Sequence, residues 1–244
     1  MSAALAAFLA PPAAADCPAT DNARQVEVAH VIDGDTLVLA SGDRVRLLGI
    51  DAPELGRDGA PNEPYAREAR AELRRALQPN HAPALILSGS EPRDRHGRRL
   101  AHLYDWKGRN LSEHLLRRGL AYQAAVPPNL RFSDCYLAAE ADARGWDLGL
   151  WRLPPLEASR LPAGLSGFER IEGEVRAVRP ERGVTWIDLE GELKLRILDQ
   201  DRHRFDPADL AALPGTRVEV RGWIYRYRGK PRIRLRHPSA LRRL

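Results

Sequence analysis

The sequence predicts a mainly β protein with helices, an α+β fold organised as two successive modules. Short apolar runs with the alternation of half-buried strands are separated by turn signals along much of the chain. Three longer segments have the periodicity of amphipathic helices. After a stretch rich in proline and glycine, a second set of strand patterns begins at Phe168. The length of 244 residues suits one large domain or two small ones.

The first module is predicted to open with an antiparallel meander. Its strand patterns cover 25–32, 36–39, 44–48, 84–88 and 99–104. Asp33-Gly34 separates the first two strands and is a hairpin-turn signal. The helical patterns cover 63–77, 110–118 and 133–145. Gly119 and Gly145 end the second and third helices, as glycine commonly does.

The second module is predicted to be a small β-rich unit at 168–244. Its strand patterns cover about 168–178, 184–189, 192–198, 216–224 and 231–236, with one short helix at 207–213. Five strands with one inserted helix fit an OB-like barrel. We expect residues 153–167 to be a linker, because prolines and glycines are frequent there.

Charge is distributed unevenly along the chain. Hydrophobic residues make up 43% and charged residues 29%, which excludes wholesale disorder and a transmembrane bundle. The formal net charge is +5, but residues 216–244 alone contain ten Lys or Arg and one acid. Of the 38 cations 35 are arginines, whose planar fork binds phosphate through two parallel hydrogen bonds. A GC-rich genome would give the same arginine excess, so composition alone leaves the partner open.

The N-terminus resembles an export signal. Residues 1–16 contain a short apolar run, two prolines and a small-residue cleavage pattern, although the basic start typical of signal peptides is missing. An alanine-rich arm is the alternative. The run is too short to span a membrane, so no stable membrane insertion is expected. Cys17 and Cys135 could pair in an exported chain and would stay reduced in the cytosol, and their spacing does not decide between the two.

Several acids cluster around the predicted hairpin. Asp35 and Asp51 fall at the ends of adjacent strands, so their carboxylates are expected to converge. Converging carboxylates repel each other unless they share a proton or a cation. All-oxygen ligands suit a hard cation such as Ca²⁺. Each acid also has a structural explanation, since Asp33 before Gly34 can serve the turn alone.

Three segments in this order resemble the signature of the staphylococcal nuclease (thermonuclease) family. They are residues 31–36 (Val-Ile-Asp-Gly-Asp-Thr), 46–54 (Arg-Leu-Leu-Gly-Ile-Asp-Ala-Pro-Glu) and 94–101 (Asp-Arg-His-Gly-Arg-Arg-Leu-Ala). The resemblance covers about residues 24–152, roughly half of the chain. It implies a catalytic domain folded as a five-stranded Greek-key barrel of OB type with three helices.

The resemblance also implies the roles of individual residues. Asp35 and Asp51 would bind Ca²⁺ through their carboxylates, and Ala52 would bind it through its backbone carbonyl. Because only the carbonyl is used, alanine is acceptable where the family often has threonine. Glu54 would act as the general base or orient the attacking water. The phosphate would be bound by Arg46 and Arg98.

Two parts of the family pattern differ here. Arg95 and His96 stand where the family has Lys-Tyr; His96 could stack on a nucleotide or be an ordinary loop residue. The pocket tyrosines after the second helix have no counterpart, and packing in the core explains nearby Tyr122 at least as well. In the family fold the N-terminal arm and the third helix lie on one side, so the resemblance implies a Cys17–Cys135 disulfide.

The basic end of the chain interleaves aromatic and arginine residues. Within a strand, alternation would place Trp223, Tyr225 and Tyr227 on one face and the arginines between them on the other. We expect one nucleic-acid-binding patch formed by Arg226, Arg228, Arg232, Arg234 and Arg236. For the aromatic residues, an ordinary buried face is the competing interpretation.

These observations predict an exported, Ca²⁺-dependent nuclease that hydrolyses phosphodiester bonds of DNA and RNA. We expect a monomer that is secreted or periplasmic. The alternative is a non-catalytic nucleic-acid-binding protein on a nuclease-like fold. The complete set of acids and arginines argues against it.

Overall fold

The computed structural model describes residues 17–19, 22–56, 58–77 and 83–244. The predicted signal segment 1–16 lies outside the described residues. Within the described part of the chain, no helix is long and apolar enough to cross a membrane. The structure consists of two β-rich modules with helices, so the predicted α+β fold class is confirmed.

The first module contains a curled six-stranded sheet, a separate two-stranded sheet and three helices. Its strands are β1 Arg24–Val26, β2 Val28–Val31, β3 Thr36–Leu39, β4 Arg44–Leu47, β5 Ile50–Asp51, β6 Ala84–Arg93, β7 Arg99–Tyr104 and β8 Tyr122–Gln123. Its helices are α1 Ala66–Leu77, α2 Leu111–Arg117 and α3 Ser133–Gly145. The sheet order is β1-β6-β7-β4-β3-β2. Because β1 and β2 are consecutive in the chain and lie at the two edges, the sheet closes on itself as a barrel.

Alternation fills this barrel with apolar side chains. Leu37, Val45 and Leu103 are fully buried in one cluster with Leu73 of α1 and Leu115 of α2. Helix α1 therefore covers the barrel with its predicted apolar face, whereas α3 leaves Leu137 exposed and turns Tyr136 and Ala139 inwards. Helix α1 begins three residues later than predicted, because Tyr65 has a φ of +66°, a left-handed conformation that a helix does not continue through.

The second module is a closed five-stranded barrel with short additions. Its elements are β9 Leu156–Glu157, β10 Gly167–Glu181, β11 Val184–Leu189, β12 Lys194–Leu198, α4 Asp199–Arg202, α5 Pro207–Ala211, β13 Arg217–Tyr227, β14 Lys230–Arg234 and β15 Leu241–Arg243. The order β13-β14-β12-β11-β10 closes through a β10–β13 pairing. Its core is a separate cluster that includes Ile171, Ile187 and Val220.

The stretch predicted to be a linker belongs to the second module. Strand β9 pairs in parallel with β10, and Ala158 is buried in the second core. Leu161 and Leu165 pack against the same core. The proline and glycine content correctly predicted irregular backbone, but it gave no indication that this segment packs against the core of the second module.

The two modules meet at an interface centred on Trp151. This side chain is 6% exposed, and the guanidinium groups of Arg144, Arg170 and Arg221 lie 4.7, 5.0 and 5.8 Å from its ring centre. Burial would raise the pKa of Glu219, but two hydrogen bonds from Arg144 and nearby positive charges outweigh it and hold that pKa below its usual range. The second module is thereby fixed against α3.

A disulfide joins the N-terminal arm to the start of α3. Cys17 and Cys135 are bonded, with their Cα atoms 5.9 Å apart. The Cys17 backbone N–H also donates to the Glu113 carboxylate at 3.1 Å, and the Tyr104 hydroxyl donates to the Pro18 carbonyl at 3.1 Å. The structure therefore contains the disulfide that the resemblance implied.

Removing the disulfide should destabilise the protein substantially. The cystine spans a sequence separation of 118 residues, for which loop-closure entropy gives at most about 4–5 kcal/mol. We expect the Cys17→Ser/Cys135→Ser variant to lose free energy of unfolding in denaturant titrations and to become insensitive to reductant. Two free thiols in the unreduced wild-type protein would contradict the prediction.

Buried His102 should make the fold sensitive to acid. Its side chain is 2% exposed and its Nδ1 lies 2.8 Å from the Tyr136 hydroxyl. Burial, with a smaller effect of the Arg131 charge, lowers the pKa of His102 to about 4. Since the unfolded histidine binds a proton near pH 6.5, its contribution to stability is present above that pH and is lost as the pH falls towards 4.

We therefore expect wild type to lose about 3 kcal/mol more than His102→Gln between pH 7 and pH 4, measured by urea unfolding. His30→Gln, at an exposed histidine of β2, is the matched control and should behave as wild type. Parallel pH profiles for wild type and His102→Gln would refute the assignment.

Candidate active site

The site forms where β3, β4 and β5 meet. Asp35 immediately precedes β3, and Asp51 ends β5. Arg46 of β4 pairs with Thr36 of β3, and the Leu47 backbone N–H donates to the Asp35 carbonyl at 2.8 Å. The short connections of the meander therefore bring both acids and Arg46 to one end of the barrel.

Gly34 allows the hairpin to approach its neighbours closely. A Cβ added at this position would lie 2.6 Å from Ala52 Cβ and 2.7 Å from Ala69 Cβ of α1. Any larger residue would push the hairpin away from both. Asp33 beside it accepts a hydrogen bond from the Asp35 backbone N–H at 3.0 Å, so it does form the predicted turn.

Arg46 bridges the two carboxylates. Its guanidinium contacts Asp35 and donates to Asp51 Oδ1 at 2.6 Å and to the Ile50 carbonyl at 3.1 Å. The Asp35 carboxylate also accepts from the Ala52 backbone N–H at 2.8 Å and from the Thr36 hydroxyl at 2.9 Å. The two acids and Ala52 are thus brought together as predicted.

A single guanidinium does not fully compensate these charges. Burial raises the pKa of Asp35 well above its usual range, and the attraction of Arg46 only partly offsets this. Burial likewise raises the pKa of Asp51 to about 6, with Arg46 opposing the rise and Glu54 adding to it. For Arg46 itself, the charges of Asp35 and Asp51 outweigh burial and raise its pKa. The site therefore has a local deficit of positive charge.

These residues fit a hard divalent cation. The candidate donors are the carboxylate oxygens of Asp35 and Asp51 and, as the family resemblance implies, the carbonyl oxygen of Ala52; none is a histidine or a thiol. A cation between the carboxylates would favour their charged forms, which burial disfavours. Three protein ligands leave positions for water and for a phosphate oxygen.

Glu54 lies at the exposed edge of this site. Its backbone N–H donates to Glu63 Oε2 at 2.8 Å, and the Glu63 N–H donates to the Glu54 carbonyl at 3.0 Å. Glu63 thereby closes the loop between them, and sequence reasoning missed it. The Glu54 side chain is exposed, so water can reach it.

Arg98 immediately precedes β7, which neighbours β4 in the sheet. Strands β4 and β7 are parallel, and Arg46 lies opposite Leu100, two residues after Arg98. The Arg98 guanidinium donates through Nε to Asp94 Oδ2 at 2.7 Å. Arg95 and His96 are exposed in the same β6–β7 turn, where Arg95 Nε donates to His96 Nε2 at 3.0 Å.

A row of aromatic rings extends from this site into the second module. Tyr122 of β8 pairs with Asp51 of β5, and its ring stacks on Phe168 at 6.0 Å between centroids and 24° between planes. Phe168 in turn contacts Trp223 at 4.9 Å. The sequence placed Tyr122 near the site but contained no signal for its contact with Phe168.

The five C-terminal arginines do not form the single patch that was predicted. Arg226 donates to the Gly229 and Pro162 carbonyls, and Arg228 lies in the β13–β14 turn. Arg232 and Arg234 project from the same face of the barrel as Tyr225, which pairs with Arg232 across the strands. Arg236 follows β14 and is half-buried. The expected separation of aromatic and arginine faces is therefore wrong for β14.

Comparison with known proteins agrees with this geometry. The family model described as staphylococcal nuclease homologue matches residues 44–153. The chain is 32% identical over 128 residues to the thermonuclease of Staphylococcus intermedius, covering 51% of this chain and 74% of the relative. It is 33% identical over 130 residues to endonuclease YncB of Bacillus subtilis, covering 52% and 61%. The chain therefore belongs to the staphylococcal nuclease homologue family and is a nuclease, a hydrolase of phosphodiester bonds.

Proposed function

We propose that this nuclease uses Ca²⁺ to hydrolyse the phosphodiester bonds of both DNA and RNA. The observation that supports this most directly is the pair of carboxylates of buried Asp35 and half-buried Asp51, joined by Arg46 beside exposed Glu54. When bound, the cation would supply positive charge to the phosphate oxygens as negative charge gathers on them.

The protein side chains perform the remaining steps. Glu54 accepts a proton from the water whose oxygen attacks phosphorus. The bond between phosphorus and the leaving sugar oxygen breaks, and that oxygen takes up a proton from solvent water. Arg46 and Arg98 donate hydrogen bonds to the phosphate oxygens, where guanidinium charge stabilises the transition state more than the ground state. Glu63 fixes the backbone of Glu54 and so positions its carboxylate.

The chemistry of the site supports action on both nucleic acids. Its carboxylates and guanidiniums are suited to interact with the phosphate group, which DNA and RNA have in common. Recognition of RNA alone would require a group placed for the ribose 2′-hydroxyl. Nothing assembled around Asp35 and Asp51 serves that purpose in the described part of the chain.

We also propose that the protein acts as a monomer in the periplasm or outside the cell. The Cys17–Cys135 disulfide supports this location, since such bonds persist in oxidising compartments. The alanine-rich start of the chain is consistent with an export signal. A monomer would be sufficient for this activity, because the proposed site residues all come from one chain.

Removing the cation should abolish cleavage. We expect wild type to cleave plasmid DNA and single-stranded RNA with Ca²⁺ and to stop in excess chelator. Asp35→Ala should remove the Ca²⁺-dependent activity while thermal melting still shows a folded protein. Glu68→Gln, at an exposed acid of α1, is the control and should cleave as wild type. Full activity in chelator would disprove the proposal.

Conservative changes at Glu54 and Arg98 should lower the rate of the chemical step more than the affinity for substrate. Glu54→Gln keeps the size of the side chain but removes the base, which typically costs about 10²–10⁴ in rate. Arg98→Lys keeps the charge but removes the two-pronged donor. We expect a lower kcat with a nearly unchanged KM for both, and wild-type kinetics for the exposed control Arg67→Lys. A Glu54→Gln enzyme within a few-fold of wild-type kcat would exclude Glu54 as the base.

A further inference from the structure

One face of the second barrel combines aromatic rings with arginines. Trp186 of β11 pairs with Arg196 of β12, and Tyr225 of β13 pairs with Arg232 of β14. Trp223 lies two residues before Tyr225 on the same side of β13. We call these five residues the aromatic–arginine face. Their sequence neighbours Ile187, Leu195, Ile224 and Ile233 are buried in the core, so the face points outwards.

Contacts between the side chains join the members of the face. The Arg196 guanidinium lies 4.8 Å from the Tyr225 ring centre, and the Arg232 guanidinium lies 5.7 Å from the Trp186 ring centre. Trp223 is 45% exposed, which is high for a tryptophan that has packing partners. Flat π-surfaces and cations are thus available side by side.

The two arginines of the face lack the carboxylate partners that neighbouring arginines have. Over 17–19, 22–56, 58–77 and 83–244, neither Arg196 nor Arg232 forms an ion pair, and the buried Nε of each has no hydrogen-bond partner. Arg232 is only 9% exposed. Its Nη1 donates to the Pro231 carbonyl at 3.0 Å and to the Glu192 carbonyl at 3.4 Å. By contrast, several other arginines of the second module pair with acids, among them Arg217, Arg221 and Arg234. Because no acid in these ranges pairs with either guanidinium, both contribute positive potential to the face, but only half-buried Arg196 can be contacted by an anionic ligand.

The face continues directly to the active site. Trp223 contacts Phe168, Phe168 stacks on Tyr122, and Tyr122 pairs with Asp51. The residue before Phe168 also lies near the site. A Cβ added at Gly167 would be 3.8 Å from Glu63 Oε1, and the Glu63 carboxylate accepts a hydrogen bond from the Glu54 backbone N–H. The start of β10 therefore lies beside Glu63, which closes the Glu54 loop.

We propose that the aromatic–arginine face binds the single-stranded part of the nucleic-acid substrate and leads it to Asp51. This inference rests on the proposed function and extends it to the form of substrate. Bases stack on Trp223 and Tyr225, which are about 7 Å apart along the strand, and Arg196 contacts a phosphate, with buried Arg232 adding positive potential. Paired bases in a duplex do not expose their faces to such rings, so stacking selects single strands.

Binding without turnover tests the proposal in the full-length protein. The probes are a fluorescent oligothymidylate and a hairpin duplex with a matched label, each titrated in chelator and followed by anisotropy. We expect Trp223→Ala to weaken oligothymidylate binding by about 5- to 100-fold, the range for one stacked base, and to leave duplex binding unchanged. Trp223→Phe should restore most of the affinity. Trp106→Ala, at a tryptophan 50% exposed in the first module, is the control and should bind as wild type.

The charge contribution is measured by salt titration. Arg196→Gln should reduce the slope of log affinity against log salt by about 0.7 for a lost phosphate contact on a single strand. Unchanged oligothymidylate affinity in Trp223→Ala, equal losses on single strand and duplex, or no binding by wild type would overturn the inference. Cleavage with Ca²⁺, measured separately, reports on the proposed function, so the two can fail independently.

Discussion

The bridge from Arg46 to Asp35 and Asp51 is the interaction on which the site depends. It requires three short strands to end together, and it requires Gly34 to let the hairpin approach Ala52. One buried and one half-buried carboxylate held by one guanidinium leave negative charge that burial makes costly. The barrel maintains this arrangement because the apolar residues alternating with the site residues are fully buried. Stability of the core and affinity for a cation are therefore supplied by the same strands.

The second constraint is the interface around Trp151. Glu140 and Glu219 are almost completely buried there. Glu140 of α3 pairs with Arg221 of the second module, and Glu219 of the second module pairs with Arg144 of α3. Breaking one such pair would leave an uncompensated buried charge, which is strongly destabilising. The interface consequently fixes one orientation of the second module, and that orientation places Phe168 against Tyr122.

Local sequence predicted the first module well and the second less completely. The acids and Arg46 could be located because turns and short strands place residues that are close in sequence. The aromatic–arginine face could not be predicted, because alternation within β13 does not show which residues of β14 share its outer face until the register of the two strands is known. Tyr225 lies opposite Arg232, so even-numbered positions of β14 share a face with odd-numbered positions of β13. Similarly, Glu63 and Phe168 reach the site through loop closure and module docking, for which sequence spacing has no signal.

The ordered segment between the modules has a mechanistic consequence. A flexible linker would let a strand bound to the second module sample many positions relative to Asp51. Here β9 pairs with β10, Ala158 is buried, and Trp151 is packed between arginines, so that freedom is removed before substrate binds. Binding energy from bases far from the reacting phosphate can then orient the strand at Glu54, where orientation contributes most to the rate. The value of the second module to catalysis therefore comes from its rigid attachment as much as from its own contacts.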